Sequence, residues 1–482
     1  MGWQSSTIHQ ESNHPQGLTK LISFMFGFSL LGISLFLYII RKHKLSYFVF
    51  ISFMLNGWCV LTDDILNYKN YDLAFIYILS VLAINIFLDK KKIKYTDLTL
   101  LILISLFILF LFFDIRFSYI HYDFTPYQIL QGSRASFLIL CYLFLRRMDK
   151  DTFLWLNKTY FYVTLVTSIL YILEVFYNMP VLPYTMNVKV DDFTGIMRYY
   201  NSPPLLYWYF IATILFPSVL NSRLSTIGAF VFSVALIATL GRIQIGMTFG
   251  VVLFGMLLKG KVGTILKVVI IAAILSIPFM EILNLRFEGR YGNDTESEVK
   301  SVFSGGIADM ANGEYSDEGT LTYRFAWVYE RMLYLTNRPF GENIFGLGLI
   351  SDSQTETVQA KYHFNLGLYS EDGTKQQMTT PDISYGNLLS KYGYLGSFLY
   401  LSIWFYLLFF FFNHRKQTEY SIGGFLLVLN LMLIAISGTT VSDQGYLAFP
   451  FMIYIYVNNI VHHNWKEEES TVSREMKVAY SS

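Results

Sequence analysis

Charge is scarce in this chain. Asp, Glu, Lys and Arg make up only 15% of its 482 residues, where soluble domains carry about 25%. The shortfall excludes an ordinary soluble globule and is uneven, because charges gather in short clusters between long apolar runs. Cysteine is almost missing. Cys59 and Cys141 both fall in apolar runs, form neither a disulfide framework nor a metal spacing, and read as small buried hydrophobes. No Walker motif, nucleotide fingerprint or metal-ligand cluster occurs, so a nucleotide-driven transporter is disfavoured and no metal or cofactor is implied. There is no internal repeat of the kind many transporters carry. A formal net charge of +1 gives no argument for nucleic acid. The N-terminus lacks the basic region and cleavage site of a signal peptide, so the first apolar segment is expected to stay.

What is present is apolar and aromatic: 54% hydrophobic residues, with 43 Phe and 36 Tyr. Tyr and Trp favour the headgroup level of a bilayer, so part of this excess is anchoring. The apolar runs are continuous, as in Leu98–Phe113, and of the length that a hydrocarbon core about 30 Å thick demands of a helix. A barrel strand would alternate polar and apolar residues instead. Inside lipid, continuous runs mean helices, because every backbone group must be bonded within its own segment. The expected fold class is an all-α polytopic integral membrane protein with about 13 (12–14) transmembrane helices and one large, partly helical outer loop. Spans are expected near 18–40, 46–62, 71–88, 97–113, 134–146, 153–175, 203–220, 224–240, 243–259, 263–280, 386–412, 421–437 and 448–461. Two short spans meet at Gly241-Arg242.

Orientation follows from Lys and Arg in short loops. Basic clusters occur at Arg41-Lys42-His43-Lys44, Lys90–Lys94, Arg146-Arg147, Arg223, Lys259-Gly260-Lys261 and His414-Arg415-Lys416. The alternate loops, Thr62–Tyr71, Asp114–Ser133, Tyr177–Pro203 and Ser437–Gly445, are poorer in both. The pattern predicts a cytoplasmic C-terminus and an external N-terminus. It divides the chain into an N-terminal transmembrane bundle (1–280), a large outer loop (281–385), C-terminal transmembrane helices (386–461) and a polar cytoplasmic tail (462–482). The outer loop holds 16 Asp/Glu against 8 Lys/Arg, and its length suits a small folded unit.

Several features could carry chemistry. Arg242 lies between two apolar spans on the expected outer side, away from any basic cluster. An ionisable residue there is a functional candidate, because leaving it unpaired near lipid is costly; the alternative is an arginine that snorkels to the headgroups. In the outer loop, Leu321, Phe325, Val328 and Met332 recur at helical spacing and would form one apolar stripe. Arg324 and Arg331, seven apart, share nearly one face. Their guanidinium forks would bind phosphate or pyrophosphate bidentately, or else form a solvated face with salt bridges to Glu330. Asn337-Arg338-Pro339-Phe340-Gly341 and Gly346-Leu347-Gly348 suggest turns that let backbone approach a ligand. Asp382 lies at the mouth of the next helix, as a base or hydroxyl-orienting group or as a helix N-cap. His363 is the lone histidine of the loop. Asp63-Asp64, in the first outer loop, is a thinner candidate.

Taken together, the many spans, Gly241-Arg242 at a mid-chain span end, the late outer loop, Arg324 with Trp327, Asn337–Gly341, Gly346-Leu347-Gly348 and the closing Asp382, Asn387, Gly393, Gly396 segment resemble the bacterial O-antigen polymerase (Wzy) family, within the O-antigen polymerase/ligase group. Ligase-type members often have His-Asn where this chain has Asp382-Ile383, a departure that leans towards a polymerase. The resemblance implies a glycosyltransferase of the bacterial inner membrane, independent of metal, using an oligosaccharide on undecaprenyl pyrophosphate as donor and another lipid-linked repeat as acceptor. A chain-length regulator protein is an expected partner besides the lipid bilayer. Arg242, Arg324, Asp382 and His363 become the catalytic candidates, and Arg290, Arg331, Arg338 and Trp327 the substrate-binding ones. The competing classes are a ligase-type transferase and a transporter or flippase for lipid-linked sugars.

Overall fold

The computed structural model describes residues 16–59, 70–87, 98–179, 181–182, 188–190, 197–199, 202–219, 222–260, 300, 302–313, 319–369 and 373–462. These are mostly helical. The expected span 263–280, the tail 463–482, Asp63-Asp64 and Arg290 lie outside the described residues.

The first half of the chain contributes α1 (Gln16–Ile39), α2 (His43–Met54), α3 (Asn70–Phe87), α4 (Leu98–His121), α5 (Pro126–Ser133), α6 (Cys141–Leu145), α7 (Lys150–Tyr177), α8 (Leu206–Leu215), α9 (Ser222–Ala238) and α10 (Arg242–Leu258). A short antiparallel ribbon pairs β1 (Val188–Val190) with β2 (Met197–Tyr199), Lys189 opposite Arg198. The 281–385 region contributes α11 (Gly306–Ala311), α12 (Gly319–Thr336), α13 (Phe340–Phe345) and α14 (Thr355–Lys361), followed by the two-residue ribbon strands β3 (Leu368–Tyr369) and β4 (Lys375–Gln376). The chain then continues through α15 (Ser384–Asn413), α16 (Glu419–Ile434) and α17 (Ala448–Val461).

Among the described residues, five helical stretches are long and apolar enough to cross a membrane: Leu98–His121, Pro126–Leu145, Lys150–Tyr177, Ser384–Asn413 and Glu419–Ser437. Shorter apolar helices accompany them, among them Asn70–Ile86, Leu206–Leu215, Arg223–Ala238 and Arg242–Leu258. α9 and α10 meet at Gly241-Arg242 as the sequence predicts.

The surface of α4 shows what surrounds it. Leu100, Ile104, Phe107, Phe110 and Leu111 are buried at helical spacing, while Leu98, Ile102, Leu106, Leu109, Phe112 and Phe113 are exposed on the other side. A helix at the surface of a soluble protein would be polar there. One that is hydrophobic all round is packed against protein on one side and suited to lipid on the other. Cys141 is fully buried and unpaired, the structural role expected of it.

Local signals set the helix ends. Thr125 and Gln128 form a reciprocal capping box ahead of Pro126, and Asp149 accepts from the Thr152 amide at 2.6 Å to start α7; each satisfies amides that the first turn leaves without partners. α15 is kinked at Gly393, where φ is 61° and ψ −163°, a conformation open essentially to glycine alone.

The loop is joined firmly to the bundle. Leu347 N donates to Ser390 O at 2.8 Å. Tyr122 Oη donates to Gly346 O at 2.6 Å, and Leu349 N to Ser118 Oγ at 3.0 Å. Gly132 on α5 allows this seat, since a Cβ there would lie 2.6 Å from the Leu349 carbonyl carbon. The loop also has a small core of its own, built from Met310, Ala311, Ala326, Trp327, Leu366 and Ile383.

Candidate functional site

The clearest constellation forms where α12 meets the start of α15. Ile383, not Asp382, is the N-cap residue of α15, and no side chain caps that end. The capping alternative for Asp382 is therefore not what the structure adopts. Its half-exposed carboxylate turns to Arg324 instead, Oδ1 lying 3.8 Å from Nη2, with the guanidinium side chain 14% exposed. The turn carrying Asp382 is held by Asn387, whose Oδ1 accepts from Thr380 N at 2.8 Å and whose Nδ2 donates to Thr380 O at 2.7 Å.

Ser384 ties this turn to the segment after α16. Its Oγ donates to Gly438 O at 2.7 Å and accepts from Val441 N at 3.2 Å. Gly438 also borders α10: a Cβ built on it would sit 3.8 Å from Gln244 Nε2. Arg242 is two residues from Gln244, and Asp382 two residues from Ser384. The Gln244–Gly438–Ser384 joint thus links the start of α10, which carries Arg242, to the start of α15, beside the turn that carries Asp382. Arg242 opens α10 behind the N-cap Gly241, which follows Leu240, whose φ of 52° is rare for a branched side chain. Backbone strain of this kind concentrates at functional positions.

Two predicted substrate-binding residues are corrected. Arg331 is 0% exposed. Its guanidinium lies between the rings of Trp327 and Phe364, 3.4 and 3.9 Å from their centroids. It pairs with Glu330 and donates to Leu366 O and Gln377 O, both at 3.0 Å. Burial lowers the guanidinium pKa against the opposing pull of Glu330, and burial raises the Glu330 carboxyl. No pyrophosphate reaches such a group; Arg331 is the internal post of the loop. Trp327 is buried as its stacking platform, packed so closely on α15 that a Cβ on Gly386 would come within 2.6 Å of its ring.

The remaining predicted residues stand apart. Arg338 lies over the Tyr334 ring and 4.0 Å from Glu342, which also takes His121 at 3.2 Å. This is a separate charged cluster where α13 abuts α4. His363 is exposed on an extended segment whose neighbours Tyr362 and Phe364 point inward; it faces away from the Arg331 cage.

Charged groups inside the apolar helices escaped the sequence reading. Asp114 on α4 is fully buried, takes a 3.4 Å bond from Ser118 Oγ and lies within electrostatic reach of Lys391. A partly buried Arg134 pairs with the buried Asp72 at 2.9 Å. A lone ionisable residue within an apolar run is the signal that marks such positions. No protein-family model matches the sequence, and neither does any curated protein.

Proposed function

We propose that this chain is a polymerase of polysaccharide repeat units. It transfers an oligosaccharide from undecaprenyl pyrophosphate to another lipid-linked repeat on the outer face of the bacterial inner membrane. The observation that carries this reading is the Arg324–Asp382 pair at the mouth of α15, at the end of the bundle where Arg242 opens α10.

The reaction breaks the bond between the donor's anomeric carbon and pyrophosphate oxygen and forms one to the acceptor hydroxyl oxygen. Negative charge develops on the departing pyrophosphate, where preorganised guanidinium groups are effective; Arg324 and Arg242 fill this role. The acceptor hydroxyl loses its proton to a base, the role of Asp382. The apolar helix surfaces hold the polyprenyl tail. His363 remains an alternative base, reached only by substrate that extends over the outer surface of the loop.

In a host that depends on this gene, Arg324→Ala, Arg242→Ala and Asp382→Asn are each expected to lower polymer output by about 100-fold or more, with membrane protein levels unchanged on immunoblots. Polymer of normal length and amount in the Arg324 and Arg242 variants would overturn the assignment. The gel profile separates the alternatives. Loss of a polymerase leaves single repeats attached to the acceptor lipid, loss of a ligase leaves nothing attached, and loss of a flippase stops substrate from reaching the outer face.

A further inference from the structure

α12 is inside out for a helix in water. Its inward arc holds Glu330 and Arg331 beside Ala326, Trp327 and Leu335. Its outward arc holds Phe325 at 37%, Tyr329 at 37%, Met332 at 41% and Leu333 at 39% exposure. The spacing of 325, 329, 332 and 333 places these four side chains along one side of the helix. Of the predicted stripe Leu321, Phe325, Val328 and Met332, only Phe325 and Met332 lie on this outward side, while Val328 packs against the protein core.

The stripe does not end in solvent. Thr336 Oγ1 meets Tyr394 Oη at 3.0 Å, and Tyr394 Oη donates to Met332 O at 3.2 Å. With Trp327 against Gly386 and Met332 against Tyr394, α12 runs alongside the first segment of α15 in the same direction. Beyond that contact the exposed apolar surface continues onto Tyr394, Leu395 and Phe398, the last 66% exposed, on a helix long and apolar enough to span a membrane. Phe340, just past the end of α12, extends it on the loop side.

We infer that α12 is an interfacial helix whose Phe325–Tyr329–Met332–Leu333 stripe is seated in the acyl region of the leaflet adjoining α15. The occupant is bulk bilayer lipid. The surface is continuous with the apolar exposed side of a helix long enough to span a membrane, and it is aromatic and aliphatic without a charge, like the apolar face of a helix that lies in a membrane interface. This inference rests on the chain spanning a membrane and not on the polymerase reading. It places Arg324, on the same helix, and its partner Asp382 in the turn before α15 close to headgroup level.

The test uses full-length protein with Cys59→Ser and Cys141→Ala, carrying a single Phe325→Cys, Met332→Cys or Glu356→Cys, the last at an exposed position of α14. Each is labelled with an environment-sensitive fluorophore and reconstituted in nanodiscs of phosphatidylcholine and phosphatidylglycerol. A nitroxide on the fifth acyl carbon is expected to quench the labels at 325 and 332 several-fold more than the label at 356, with the reverse order for aqueous iodide. Equal iodide quenching at all three sites would overturn the inference. So would protection of 325 and 332 from both quenchers, which would mean a protein cover. Lipid quenching that appears only after a polyprenyl lipid is added would assign the stripe to the donor's tail instead.

Discussion

Replacing Arg331 with Met is expected to destabilise the loop by about 3–5 kcal/mol, the range for breaking a buried ion pair by removing one partner. The variant leaves Glu330 buried with only the Asn365 and Leu366 amides as donors. It also strips the carbonyls of Leu366 and Gln377 of their guanidinium donor. Each buried group left unbonded adds its desolvation cost. Hydrogen exchange across 319–369 should accelerate sharply while α4 and α7 remain protected. Adding Glu330→Gln should restore part of the loss, since removing both charges is far less costly than removing one. Wild-type exchange and melting in Arg331→Met would show that the cage is not structural. Arg324→Ala provides the contrast: polymer lost, exchange unchanged. Two arginines one heptad apart are thus separable by which property each variant loses.

Gly346→Ala and Gly393→Ala should each cost on the order of 3–5 kcal/mol, from a glycine-only backbone conformation together with overpacking. Gly346 has φ 74° and ψ −152°, and Gly393 is close to the same region. A Cβ on Gly346 would lie 2.5 Å from Gly393 N and 2.7 Å from Ser390 O; one on Gly393 would lie 2.5 Å from Gly346 N and Ile344 O. These are backbone atoms, so no rotamer change relieves the clash. Gly246→Ala and Gly250→Ala on α10 are the controls. Nothing lies within 4 Å of a Cβ at either position, and alanine should gain up to about 1 kcal/mol in helix propensity. Thermal unfolding in detergent, read by tryptophan fluorescence, distinguishes the two pairs. A melting temperature for Gly346→Ala equal to that of the controls would refute the interlock.

The membrane character was legible because it depends on composition and run length, which are local properties. The Leu98–Phe113 run became the core of α4, and the pair of short helices around Gly241-Arg242 fell where a charged residue interrupts two apolar stretches. The loop was harder because its side chains are sorted by partners distant in sequence. Arg324 and Arg331 look equivalent in a helical register. What separates them is that Arg331 meets carbonyls at 366 and 377, whereas Arg324 meets a carboxylate at 382. Periodicity marked α12 as amphipathic but carries no sign, and of the predicted stripe only Phe325 and Met332 face outward while Val328 turns to the protein. The Asp382 cap failed for a similar reason: the cap rule weighs only the local helix end, and Arg324 lies 58 positions earlier.

The seat of Gly346–Ile350 fixes an order of events during synthesis. One wall of that seat, α4 and α5, leaves the ribosome before the segment does; the other wall, the Ser390–Gly393 stretch of α15, leaves after it. A nascent chain that has not yet delivered α15 to the membrane carries a loop with half its attachments and with the Gly346–Gly393 interlock open. The loop can close only after the helix that follows it has been inserted, so the Arg324–Asp382 pair, whose carboxylate comes at that same late point, is completed near the end of biogenesis.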